Sequence, residues 1–216
     1  MREVLLSFEP EAVILGGGDY PRHEIPLRFL HECKCIVCCD GASNQCSDKG
    51  IVPWRIIGDG DSISPEVRAK YGDIIEVIPE QETNDQTKAV TYLSNRGIKH
   101  IVIVGGTGRR EDHTIGNISL LLEYFHSGLD VRMYTDYGMF VACRDNTRFV
   151  CPKNTAVSIF SAGATDMHSE GLAYQLYDLN RLWQGTLNHT IAEEFTITCN
   201  GEYIVFLNYE NKKIRE

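Results

Sequence analysis

The chain has 216 residues, 43% hydrophobic and 24% charged, with 30 acidic against 21 basic side chains and a formal net charge of −9. That length can bury a sizeable core in one or two domains, and an acidic balance without any basic run excludes a nucleic-acid backbone as partner. It does not exclude a nucleotide, because Mg²⁺ can bring a triphosphate into an acidic cleft.

The first ten residues carry too short an apolar stretch for a signal peptide. No segment approaches the roughly 18 apolar residues of a membrane span, so a cytoplasmic location with no membrane partner is expected. Five of the eight cysteines crowd between Cys33 and Cys46, near His31. The paired C-x₂-C spacing of structural zinc sites is missing and Cys35–Cys39 reads as a strand, so buried, reduced thiols are expected.

In chain order, the apolar runs are Ala12–Leu15, Cys35–Cys39, Arg55–Ile57, Ile74–Ile78, His100–Val104 and Val131–Tyr134. Short, nearly uninterrupted runs of this kind suit strands buried on both faces of a parallel sheet. Helices alternate with them. Ser64-Pro65-Glu66 opens one with an N-cap, a proline at the first helical position and an early acid. Asp85–Arg96 forms another, stopped by Gly97, and His113–His126, with Gly128 behind it, is the longest.

After about residue 145 the runs Thr155–Phe160, Gly171–Leu176, Glu194–Cys199 and Glu202–Leu207 are β-like, with turn residues and no helix between them. Asn200-Gly201 signals a hairpin between the last two. The expectation is an α/β N-terminal domain with a mainly parallel wound sheet over residues 1–143. A small all-β, sandwich-like C-terminal domain is expected over 144–216.

Polar residues fall on this scaffold at one end. Gly16-Gly17-Gly18-Asp19 follows the first strand, Asp40-Gly41-Ala42 the second and Gly58-Asp59-Gly60-Asp61 the third. Thr83-Asn84-Asp85 follows the fourth, and Gly105-Gly106-Thr107-Gly108-Arg109-Arg110-Glu111-Asp112-His113 the fifth. Each lies at the carboxyl end of a strand, where open α/β sheets bind ligands. On an extended segment Asp59 and Asp61 point the same way and repel; taken alone, such a pair more often marks a polar turn than a metal site. Gathering acids at one end against their repulsion calls for a divalent cation.

Neither the P-loop pattern nor the dinucleotide fingerprint occurs. Gly105–Gly108 still exposes backbone N–H groups before a helix, and Arg109 and Arg110 add fixed cations, an arrangement that suits phosphates and also serves as an ordinary connector. Together these features fit metal-assisted phosphoryl or pyrophosphoryl transfer. Two rivals use the same residues: another Mg-dependent nucleotidyl- or glycosyl-transferase, and a nucleotide-sensing module that holds Mg–ATP without turnover.

The motifs Leu15-Gly-Gly-Gly18, Cys39-Asp-Gly-Ala42, Gly58–Ser62, Asn84–Ala89 and Gly105–His113, in this order and spacing, resemble those of thiamin pyrophosphokinases. The β-rich tail with Gly185-Thr186-Leu187-Asn188 extends the likeness over nearly the whole chain. The resemblance implies an ATP- and Mg²⁺-dependent enzyme that transfers a pyrophosphoryl group to the hydroxyethyl oxygen of thiamin and releases AMP. It implies an ATP-binding first domain, a second domain that helps bind thiamin, and a homodimer with its sites at the subunit interface. Asp59, Asp61 and Asp85 would hold Mg²⁺, and Asp40 would sit close to the metal or the thiamin hydroxyl. ATP would meet Gly17, Gly106, Thr107, Gly108, Arg110, Asp112, His113 and Asn117. Thiamin would meet Thr186, Asn188 and Trp183.

The chain departs from that pattern at Arg109, at Gln81 and Glu82, at Asn84 in place of a threonine, and at Leu187-Asn188-His189. Four side chains keep two readings each. Arg109 either contacts phosphate or is solvated. His113 either carries a proton or caps the helix and binds phosphate. Trp183 either stacks on a thiazolium ring or belongs to a core, and Lys88 either binds phosphate or sits on a solvated helix face.

Overall fold

The computed structural model describes residues 1–211; the last residues of the expected second domain, 212–216, lie outside them. In chain order these form β1 Arg2–Leu5, β2 Ala12–Leu15, α1 Glu24–Glu32, β3 Ile36–Cys39, α2 Ala42–Asp48, β4 Arg55–Gly58 and α3 Pro65–Tyr71. Next come β5 Ile75–Val77, α4 Asp85–Ser94, β6 His100–Val104, α5 Glu111–His126 and β7 Asp130–Tyr134. The chain ends with β8 Gly138–Arg144, β9 Thr147–Val150, β10 Thr155–Ser161, β11 Thr165–Glu170, β12 Asn188–His189, β13 Glu194–Asn200 and β14 Glu202–Asn211.

Two compact units result, Glu9–Asp136 and Met1–Phe8 together with the chain from Tyr137 on. The division expected at 143/144 therefore moves. It would cut β8, which pairs with β14 from Gly138↔Asn208 to Arg144↔Glu202. The N-terminal segment also changes sides, because β1 pairs in parallel with β9, Arg2 opposite Thr147.

In the α/β unit the strand order is β7-β6-β2-β3-β4-β5, every pair parallel. β2 and β3 are buried along their whole length, which is what their unbroken apolar sequences require once helices cover both faces. After β2 the chain moves to β3 on one side, and β6 returns on the other. The gap between the carboxyl ends of β2 and β6 is thus the switch point at which such sheets form a crevice.

The helices that border this crevice start where their caps dictate. Ser64 Oγ accepts from Val67 N at 3.2 Å with Pro65 at the first position of α3, as the sequence indicates. Asn84 Oδ1 accepts from Thr87 N at 2.9 Å, so asparagine in the threonine position caps α4 equally well. α4 ends at Ser94 and Gly97, at φ +82°, takes the left-handed turn beyond it. α5 starts at Glu111, two residues earlier than expected.

The β unit has two sheets, ordered β1-β9-β13-β11 and β12-β10-β14-β8. β10, β11 and β13 bury alternate residues, as strands with one apolar face do. The hairpin expected at Asn200-Gly201 does not form. β13 pairs with β9 and β11, while β14 pairs with β8 and β10, so Gly201 turns the chain from one sheet into the other. Its φ of +115° and two hydrogen bonds with Asp145, 2.8 and 2.9 Å, hold that corner.

The strand expected over Gly171–Leu176 is also absent. Only an isolated antiparallel bridge of Leu172 with Thr190 forms there; beyond it Tyr174 N donates to Asn188 Oδ1 and Leu176 N to Ser169 Oγ, both at 3.1 Å, so side chains take the place of a ladder. No helix among the described residues is long and apolar enough to cross a membrane. All eight cysteines are free thiols, and six of them, Cys38, Cys39, Cys46, Cys143, Cys151 and Cys199, are buried.

Candidate active site

At the switch point two glycine loops lie backbone against backbone. Gly16 N donates to Val104 O, Gly18 N to Gly105 O at 2.7 Å and Asp19 N to Thr107 O at 2.9 Å. A Cβ on Gly16 would stand 2.7 Å from Gly105 O and one on Gly18 2.1 Å from Thr107 O, which explains these two glycines without reference to any ligand, whereas Gly17 has open space around it. Arg109, in the left-handed region at φ +59°, donates from Nη1 to Gly17 O at 3.1 Å and lies 3.8 Å from Asp19 Oδ1. It ties the loops together at their exposed edge.

These loops floor a cleft of about 720 Å³ confined to the α/β unit. Gly17, Gly106, Gly108, Arg109, Arg110, His113 and Asn117 line it together with Asp40, Asp59, Asp85 and Lys88. Thr107 and Asp112 lie beside the cleft without lining it. Asn117 braces the glycine loop, its Nδ2 donating to Gly106 O at 2.8 Å and its Oδ1 accepting from Asn84 at 2.9 Å.

The acids are held by different means. Asp40 follows β3 at φ +37°, is 4% exposed, and accepts from Ser62 N through Oδ2 at 2.8 Å. Its Oδ1 is buried without a hydrogen-bond partner. Asp59 and Asp61 do not stand side by side as on a strand. Gly60, at φ +89°, makes a turn in which Asp61 N donates to Asp59 Oδ1 at 3.1 Å. Asp59 faces the cleft, whereas Asp61 is exposed and does not line it.

Asp85 opens α4. Burial raises its pKa, the charges of Asp40 and Asp59 add to the rise, and Lys88 opposes it. Asp59 is held down by the Asp61 N–H, by Gln81 and, further off, by Lys88. Lys88 is not on a solvated face: it is 4% exposed, with Nζ 3.4 Å from Asp85 Oδ1. Cys39 lines the cleft too, but burial and the neighbouring acids push its thiol far up, so it is no nucleophile. Arg110 and Asp112 form an exposed fork, Nε to Oδ1 at 3.1 Å and Nη2 to Oδ2 at 2.5 Å, which lowers the Asp112 pKa to about 2.

Among the described residues no three His, Cys, Asp or Glu side chains converge as a ready metal cage. The donor set still fits a cation that arrives with its substrate. Mg²⁺ typically takes one or two carboxylates and completes its shell with phosphate oxygens and water, and the unpartnered Asp40 Oδ1 beside Asp59 and Asp85 is an oxygen wall of that kind.

Sequence reasoning missed Asn44, Gln81 and Gln86. Asn44 pins the acid turn through Ser62 O at 2.9 Å and Ser64 N at 3.0 Å. Gln81 reaches Asp59 Oδ2 at 3.3 Å, and Gln86 donates to Asn117 O at 3.2 Å. Their only signal is position, just after or before an acid motif.

The residues expected to meet thiamin lie in the β unit. Trp183 is 71% exposed and so belongs to no core. Thr186 Oγ1 donates to Trp183 O at 2.7 Å, closing the turn that presents the indole. Asn188 is buried, and its amide bonds Tyr174 N, Tyr174 O and His189 N at 2.7–3.1 Å. It shapes the segment rather than presenting a free amide.

Residues 27–133 match the family model of the thiamin pyrophosphokinase catalytic domain, and residues 138–206 that of the thiamin pyrophosphokinase substrate-binding domain. Thiamin pyrophosphokinase 1 of Caenorhabditis elegans is 31% identical over 106 residues, 45% of this chain and 43% of that protein. Thiamine pyrophosphokinase 1 of Oryza sativa subsp. japonica is 30% identical over 138 residues, 52% of each chain. The chain spans about half the length of the curated relatives it matches. Among solved structures, a thiamine pyrophosphokinase from Bacillus subtilis superposes with a TM-score of 0.78 at 20% identity, covering 91% of this chain and 98% of that one. Yeast thiamin pyrophosphokinase gives 0.80 at 17% identity over 96% and 90%. At those identities the likeness is one of fold.

Proposed function

The chain belongs to the thiamin pyrophosphokinase family, and from that premise we propose that it transfers the pyrophosphoryl group of ATP to the hydroxyethyl oxygen of thiamin, giving thiamin diphosphate and AMP. The observation that carries this reading is a single cleft at the switch point that joins three carboxylates to two glycine loops and an arginine. In that arrangement the backbone of Gly17, Gly106, Thr107 and Gly108, with Arg110, cradles the polyphosphate near the start of α5. His113 adds a donor to the same wall, and Asp112 holds Arg110 in line while Asn117 holds the loop. Asp59 and Asp85, with Asp61 on the same turn and Asp40 behind, would hold Mg²⁺. Once bound, the cation neutralises phosphate charge and orients the group to be transferred. Asp40 would also meet the accepting hydroxyl. Catalysis of this type is mainly positioning and charge stabilisation.

Trp183 and Thr186 offer an aromatic face to a thiazolium or pyrimidine ring, and Asn188 keeps that segment in shape. A mainly parallel wound domain for ATP, a sandwich-like domain for thiamin and a homodimer with sites at the subunit interface complete the reading. Exposed Leu182, Trp183 and Leu187 support the dimer, because large apolar side chains grouped on a surface favour association. The eight free thiols support a reducing, cytoplasmic setting.

The test is an assay with ATP, Mg²⁺ and thiamin that follows AMP and thiamin diphosphate together. Equal yields of both that require thiamin are expected; AMP formation independent of thiamin, or none, would reject the assignment.

A further inference from the structure

Lys88 is a buried cleft residue whose charge the proposed reaction leaves without a task. It sits three residues after Asp85 on α4, so both point from one helix face toward the cleft. Its side chain is 3% exposed, and an ammonium so buried is costly unless charge of opposite sign compensates it. Compensation is at hand: Asp40, Asp59 and Asp85 line the same cleft, and the charges of Asp40 and Asp59 reach Asp85. Yet the contact with Asp85 Oδ1 is long, 3.4 Å, and no other carboxylate among the described residues lies within ion-pair reach of Nζ. A tight, permanent ion pair would be shorter and better aligned.

Asp85 meanwhile keeps 34% of its side chain exposed, so one of its faces remains open to an incoming ligand while Lys88 holds the other. The unpartnered Asp40 Oδ1 lies in the same wall, without a proton donor of its own. The wall therefore holds its negative charge with a lysine that can be released.

We propose that Lys88 is a stand-in cation. In the free protein it offsets the acid wall through Asp85; when Mg²⁺ arrives with the triphosphate, Asp85 passes to the metal and the Lys88 ammonium turns to a phosphate oxygen. No bond is broken in this exchange, and the ammonium keeps its protons throughout. The inference rests on the metal-assisted reading above, and it assigns Lys88 two successive partners.

A stand-in competes with the metal it represents, and this is measurable without ATP, thiamin or turnover. Titrate the protein with Mn²⁺ and follow the loss of the free-ion electron paramagnetic resonance signal, for wild type, Lys88→Met, Lys88→Gln, Lys88→Arg and Asp85→Asn. Removal of a unit charge a few ångströms from the acids should tighten Mn²⁺ binding by roughly tenfold in both neutral variants. Lys88→Arg should bind Mn²⁺ as wild type does. In steady-state assays the neutral variants should then raise the KM for ATP, since the phosphate partner is lost, with the KM for thiamin unchanged. The two neutral variants differ in polarity, so a folding defect of one leaves the other to decide. Equal or weaker Mn²⁺ binding in the neutral variants, or none in any protein, overturns the stand-in role. If Asp85→Asn binds Mn²⁺ as wild type does, the metal reading itself fails; if Asp85→Asn loses the ion while Lys88→Met matches wild type, only the inference about Lys88 falls.

Discussion

A Cβ on Gly58 would stand 2.6 Å from the Cβ of Asp40, so β4 reaches the neighbouring strand end only because it carries no side chain there. The acid turn that begins at Asp59 is thereby set against Asp40, whose carboxylate takes the Ser62 N–H in return. Gly58→Ala should fold but push Asp40 aside. Overpacking of this kind costs about 1–3 kcal/mol, and displacement of a site group by an ångström can cost on the order of 10² in rate. Thermal melts and kcat measured together check it; an unchanged kcat would mean that the position of Asp40 does not matter.

Arg110 presents a planar fork to Asp112 and lines the cleft. An ammonium cannot reproduce that geometry, so Arg110→Lys should raise the KM for ATP by about tenfold and leave that for thiamin alone. A change confined to thiamin would reassign the loop.

The same pair makes an acid-sensitive contact. The folded pKa of Asp112 is depressed to about 2 from 3.8, chiefly by Arg110. A depressed carboxylate contributes stability that is present above its unfolded pKa and is lost as pH falls through the folded value, here between about 4 and 2. Asp112→Asn should therefore melt slightly below wild type at pH 5 and above, and the two curves should converge near pH 2. A difference that persists to the lowest pH would point to helix packing instead of charge.

Asn188 makes three hydrogen bonds inside the β unit, two of them to Tyr174. Asn188→Ala leaves buried backbone groups unpaired, which costs about 1–3 kcal/mol, and should expose the 172–190 segment to protease. Unchanged stability with a raised thiamin KM would instead give Asn188 a direct role at the ligand.

Much of this molecule is legible in its residues because local chemistry and global fold agree there. Unbroken apolar runs such as Ala12–Leu15 and His100–Val104 can be satisfied only by burial on both faces. Ser64-Pro65 can only start a helix, and glycines and acids after successive strands must gather at one edge of the sheet. α1 and α2 are harder to read. Glu24–Glu32 has Pro26 inside it and a histidine, His23, as its cap, while Ala42–Asp48 is nearly all small and polar.

What the tertiary structure alone decides lies where partners are distant. Nothing local announces that Arg2–Leu5 pairs with a strand some 145 residues on, that Asn200-Gly201 joins two sheets instead of two paired strands, or that Thr165–Glu170 is a strand at all. Strand pairing is set by competition among distant edges, and a turn sequence records the bend without naming the partner. The site divides in the same way. The acids and glycines were visible from their order, but Lys88 stayed between phosphate binding and a solvated helix face, because only the folded cleft decides its burial. Burial turns that ordinary side chain into a charge with one partner, and burial is a property of the assembled fold.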